Sequence, residues 1–152
     1  MTTTHLTAPA LNVVRPTRWL RALLLCNGIG NVLGGVPLLL LAGVLASPTG
    51  LPQRLLTGIG VFYLVYGCAM WRAGSRPRPR STMIAALIAV NPFWALGCLL
   101  ILMTNSTDVT ALGTSALEGE AAFVTALAAV EWVTYRRSQK SGIGADQSTS
   151  HS

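Results

Sequence analysis

Apolar residues fill four long blocks of this chain, and short polar stretches separate them. The blocks cover about residues 19–46, 51–71, 82–103 and 109–135. At a rise of ~1.5 Å per residue, each is long enough to cross a hydrocarbon core of ~30 Å as a helix. Ser47-Pro48-Thr49-Gly50 carries turn chemistry between the first two blocks, and Thr104 to Asp108 makes a polar turn between the last two. The central stretch Trp71 to Ser81, WRAGSRPRPRS, holds four arginines and two prolines and divides the chain into two hairpins. Inside the third block Asn91-Pro92 predicts a kink, because proline removes a backbone donor. Residues 1–17 are polar and Thr-rich, and 136–152 are rich in Ser, Gly and Gln; both read as flexible cytoplasmic tails. The pattern therefore predicts an all-α, four-helix transmembrane bundle occupying residues 18–135.

Composition strengthens this reading. Hydrophobic residues make up 51% of the 152-residue chain and charged ones 11%, a membrane composition rather than a soluble one. Arg15, Arg18 and Arg21 ahead of the first apolar block, with Val44-Leu45-Ala46 near its end, offer a signal peptide as a competing reading. That block is longer than a signal core and contains Asn27, Asn31 and five glycines, which suit a packed helix better.

The basic residues fix the orientation. Three lie at the N-terminal flank, four in the central loop and three after the fourth block, against Arg54 alone at the other two turns. By the positive-inside rule both termini and the central loop are expected on the cytoplasmic side of the plasma membrane. Trp19, Trp71, Trp132 and Tyr135 fall at the same boundary, where an aromatic belt belongs. The net charge of +6 thus reads as a topology and anionic-lipid signal, with the bilayer as the chief partner and no nucleic-acid footprint. Cys26, Cys68 and Cys98 each sit in an apolar run with no CxxC spacing, and read as small buried packing residues. His5 and His151 are both in the tails, which excludes paired-histidine haem within the membrane. There is no metal-ligand cluster and no nucleotide loop between a strand and a helix, so no cofactor or metal is expected.

Candidate chemistry is confined to polar side chains inside the apolar blocks, where a charge costs at least ~2.5–3.5 kcal/mol near the bilayer centre. Arg54, Glu118 and Glu120 lie at matching depth in the outer half, and an ion pair from Arg54 to either glutamate is expected. Glu131 near the inner end of the fourth block has Arg21, Arg72, Arg136 and Arg137 within reach in depth, so an interfacial ion pair is the plainer reading. The functional alternative is a proton-binding carboxylate, since Glu120 and Glu131 are eleven residues apart and share a helical face. Asn27, Asn31, Gly30, Gly34 and Gly35 share one face of the first helix, with Gly30-x-x-x-Gly34 a small-xxx-small motif. A central cluster of Asn27, Asn31, Tyr63 and Asn91 is geometrically possible, either as hydrogen bonding that holds the bundle or as a ligand pocket.

The segments LLTGIGVFYLVYGCAMWRAG and IAVNPFWALGCLLIL, with a fourth helix beginning TALG, carry a resemblance. Over about residues 18–137 the chain resembles a loosely defined group of uncharacterised bacterial four-helix integral membrane proteins. That resemblance implies the topology and adds no activity. Small multidrug-resistance transporters fit poorly, as the first block has no glutamate, and so do fluoride channels, whose Thr/Ser/Phe-rich break is replaced by NPFWALG. Two functional classes remain. One is a non-enzymatic accessory or structural membrane protein, self-associating through its glycine-lined first helix or bound to another membrane protein. The other is a small proton-coupled transporter or channel using the intramembrane glutamates.

Overall fold

The computed structural model describes residues 17–104 and 108–149, with side chains through residue 139. Among the described residues the fold is all-helical: α1 (Arg18–Leu40), α2 (Ala42–Thr49), α3 (Gln53–Ser75), α4 (Ser81–Thr104) and α5 (Ala111–Thr149). Thr17 caps α1, its hydroxyl accepting from the Leu20 amide at 3.3 Å. The expected N-terminal tail otherwise lies outside the described residues.

Three boundaries differ from the hydrophobic pattern, the smallest difference being that α3 runs four residues past the block at 51–71, to Ser75. The block at 19–46 is not one helix, because the chain breaks at Leu41 and restarts as α2. Pro37 lies one turn earlier; it has no amide to donate, and its own carbonyl accepts from Leu41 at 2.8 Å to close the last turn. At the other end of the chain α5 does not stop at 135 but runs to Thr149, so the expectation of a disordered tail is corrected over 136–149. Those residues are polar but contain no proline. Polarity removes a reason to pack, not the ability to hydrogen-bond i to i−4.

α1 and α3 pack antiparallel with their backbones in direct approach. A Cβ on Gly28 would stand 2.9 Å from the Gly67 carbonyl oxygen, and one on Gly35 would stand 2.9 Å from that of Gly60. Both pairs are seven residues apart on their helices, which repeats the contact about two turns along the crossing. α4 packs chiefly on α5, whose buried positions Leu117, Ala121, Val124, Glu131, Tyr135 and Ser138 follow a seven-residue repeat. At one end of the molecule Thr110 donates to the Thr49 carbonyl at 3.1 Å, and Gly50, at φ 67°, caps α2 where a Cβ would collide with the Asp108 carbonyl. At the other end Ser138 approaches Thr17 at 3.3 Å. α5 therefore runs the full length of the bundle.

Two apolar clusters occupy the interior. The one nearer the arginine-rich loop contains Leu20, Leu24, Met70, Ile84, Ile88 and Tyr135; the other contains Ala42, Leu56, Ala95, Cys98, Leu117 and Val124. The outside is apolar as well: Trp19, Leu40, Val44, Phe93 and Met103 are each more than 70% exposed. Among the described residues α1, α3 and α4 are long and apolar enough to cross a membrane. α5, diluted by Glu118, Glu120 and Glu131, is not one of them.

Candidate functional site

Between the two apolar clusters lies a polar layer centred on Glu131, which is fully buried. Asn27 on α1 donates its Nδ2 to Glu131 Oε1 at 3.0 Å, and Asn91 on α4 donates to Oε2 at 3.1 Å. An ionised carboxylate only accepts, so both amides must present nitrogen to it and turn their oxygens away. Those oxygens are then supplied in turn. Asn31 Nδ2 donates to Asn27 Oδ1 at 2.7 Å and also reaches the Asn27 carbonyl at 2.9 Å. The Tyr66 hydroxyl lies 2.9 Å from Asn91 Oδ1 and 3.0 Å from the Leu87 carbonyl. Donation thus runs inward along both arms, from Asn31 and from Tyr66, and converges on one α5 carboxylate contacted from two helices, α1 and α4.

The depth of Glu131 differs from the sequence reading. Asn27 is nine residues into α1 and Asn91 ten into α4, each ~14–15 Å from the helix start. Their shared partner is therefore near mid-bundle, not at its inner end. The misjudgement came from ending the fourth helix at 135, which placed Glu131 at a boundary that the helix in fact passes. Two of the four anticipated partners are engaged elsewhere: Arg21 Nε donates to the Gly74 carbonyl at 3.1 Å, and Arg136 stacks 5.0 Å over the Trp132 ring.

Glu120 forms a second centre. The Tyr63 hydroxyl donates to its Oε1 at 2.5 Å. This replaces the expected pairing with Arg54: Arg54 and Glu118 are both exposed, while Glu120 turns inward to α3. Tyr63 accordingly leaves the asparagine cluster in which it was expected, and Tyr66, one turn along, takes that place. Gly30 meets nothing within 4 Å and Gly34 faces the Tyr63 ring, so the close helix contact is made by Gly28 and Gly35 instead. Of the cysteines only Cys98 is buried; Cys26 and Cys68 are exposed. Tyr135, buried, donates to the Ser81 carbonyl at 3.2 Å and does not join the belt of exposed tryptophans.

A cavity of about 340 Å³ between α1, α3, α4 and α5 is lined by Glu120 and by the Asn27, Asn91 and Tyr66 side chains, while Glu131 itself does not line it. Phe62 stacks on Trp94 at 4.7 Å between centroids, and Tyr63 meets the same indole edge-on at 5.7 Å. The aromatic residues Phe62, Tyr66 and Phe123 were not anticipated. The spacing Phe62, Tyr63, Tyr66 could have shown them, since it places three rings on one helical face. No group of His, Cys, Asp and Glu among the described residues is arranged to hold a metal ion. No protein-family model, curated protein or solved structure matches the chain.

Proposed function

We propose that the protein is a four-span membrane protein with both termini cytoplasmic, working as a small proton-coupled transporter through Glu131 and Glu120. The observation that carries this reading is the full burial of Glu131 at mid-bundle, bound by amides rather than by a cation. An acid placed there is costly unless partnered, and intramembrane acids are functional candidates by default. Glu120 then offers a second carboxylate ~16 Å away along the same helix. α5 serves as the fourth span on this reading. Its support is the length over which it accompanies the bundle and the apolar residues Leu112, Phe123, Val130 and Val133 that it exposes. The orientation rests on the ten basic residues at the termini and central loop against Arg54. A bacterial plasma-membrane location rests on the resemblance described above.

A second reading, a non-enzymatic structural or accessory subunit, is favoured by one specific feature. Both oxygens of Glu131 already have partners, from α1 and α4, so the carboxylate ties three helices together. Glu131→Gln separates the two. Protein reconstituted in vesicles, given a pH gradient and clamped with potassium and valinomycin, reports proton flux through a dye in the lumen. The transporter reading expects flux well above protein-free vesicles, abolished in Glu131→Gln although the variant inserts and melts like the parent. Flux equal to that of empty vesicles, or a variant that loses abundance and stability with flux per folded molecule unchanged, would favour the structural role.

A further inference from the structure

We propose that the cavity binds an aromatic organic cation, held between the Phe62, Tyr63 and Trp94 rings and the carboxylate of Glu120; this rests on the reading of the cavity as a working site. Its wall is chemically lopsided. Five of the chain's ten aromatic residues line it, Phe62, Tyr63, Tyr66, Trp94 and Phe123, while neither arginine nor lysine does. Glu120 is the one carboxylate among the described residues that line the cavity, and Glu131 stands directly behind the Asn27 and Asn91 amides. Every nearby formal charge is therefore negative. Aromatic faces with a carboxylate attract a cation through ring quadrupole and charge together, and the effect grows where water is excluded.

The geometry of Glu120 suits this use. Tyr63 holds one carboxylate oxygen at 2.5 Å, and the other has no hydrogen bond among the described residues. Tyr63 belongs both to this pair and to the aromatic group around Trp94, so charge and rings are adjoining. Trp94 adds a second sign: its buried Nε1 interacts with the Tyr63 hydroxyl but makes no hydrogen bond of good geometry. A buried donor left unmade is costly, and an ether or carbonyl oxygen on a ligand would satisfy it. The volume of about 340 Å³ is near the lower end of small-molecule sites, ~300–1,000 Å³, and admits one ring with a small cationic head.

Access points to the same class of solute. The exposed members of the lining are Cys26 and Gly30 on α1 and Phe123 on α5, which puts the mouth on the flank of the bundle between those helices. In a membrane that flank faces lipid. A solute with an apolar ring and one positive charge partitions into the bilayer and can enter laterally, whereas a sugar or a multivalent ion cannot.

The probe is choline phenyl ether, which combines a ring, an ether oxygen and a quaternary ammonium. Binding to the purified full-length protein in detergent is read by calorimetry, with the uncharged carbon analogue 3,3-dimethylbutyl phenyl ether as competitor. The proposal expects saturable binding, at least tenfold weaker in Glu120→Gln and a few-fold weaker in Trp94→Phe, with no displacement by the carbon analogue. If Glu120→Gln does not fold, the competition on the parent protein decides alone. No binding at millimolar probe overturns the proposal, as does equal displacement by the uncharged analogue, which would mark an unselective apolar hole. Proton flux lost in Glu131→Gln together with absent probe binding would retain the transporter reading and discard the cation; absence of both would discard both.

Discussion

At the scale of single residues the molecule is arranged around one acid and the amides that serve it. Asn91 has a double task, giving a hydrogen to Glu131 and taking one from Tyr66, whereas Asn31 contacts only Asn27. Asn91→Ala is therefore expected to cost ~1–3 kcal/mol, since it strands a buried carboxylate oxygen, while the Tyr66 hydroxyl keeps the Leu87 carbonyl. Asn31→Ala is expected to cost only about 0.6 kcal/mol, the average for a polar contact inside a membrane. Reversible unfolding in mixed micelles of increasing dodecyl sulfate measures both, and equal losses would contradict the inward-converging network. The members of this network were partly legible in the sequence. Asn27, Asn31, Asn91 and Glu131 announce themselves because polar groups in apolar helices are costly. What composition cannot supply is pairing: the depth of Glu131 depended on where α5 ends, and the turn of Glu120 toward Tyr63 depended on how α5 is rotated.

At the scale of elements, close approach of α1 and α3 positions the upper wall of the cavity. Gly67→Ala would place a Cβ 2.8 Å from the Gly28 carbonyl oxygen, which is backbone and cannot swing aside. The helices must separate, and a loss of ~1–3 kcal/mol is expected by the same unfolding measurement. Gly58→Ala in the same helix meets nothing within 4 Å and should be neutral or gain up to ~1 kcal/mol in helix propensity. A comparable loss at both positions would mean that the glycines act through the unfolded chain instead. The seven-residue spacing shared by Gly28 and Gly35 and by Gly60 and Gly67 was present in the sequence, yet Gly30-x-x-x-Gly34 drew attention because its four-residue spacing matches a known packing motif. The ends of α4, Ser81–Thr104, lie within one residue of the apolar block at 82–103, whereas α3 runs four residues past its block into the arginine-rich stretch. Pro37 divides an unbroken apolar block, and α5 continues through a polar one.

At the scale of the whole molecule, the bundle is two antiparallel pairs, α1 with α3 and α4 with α5, that enclose the cavity between them. The all-helical class and the three strongly apolar spans were legible from hydropathy alone, because lipid leaves a spanning backbone few other ways to satisfy its hydrogen bonds. α5 is less apolar than these three, since its three glutamates dilute the signal, and its crossing, expected from the apolar block at 109–135, belongs to the proposal. Everything said of Glu120 and Glu131 depends on α5 crossing the membrane beside α4. The most direct measurement places single cysteines at Ser75, Asp108 and Gln139, with the native cysteines changed to alanine, and labels intact cells with an impermeant maleimide. Labelling from outside at Asp108 alone is the expected result: it sets Ser75 and Gln139 together on the cytoplasmic side and puts Glu131 within the bilayer. Gln139 labelled from the same side as Asp108 would contradict the account, because α5 would then lie outside the membrane and its acids would be ordinary surface charges.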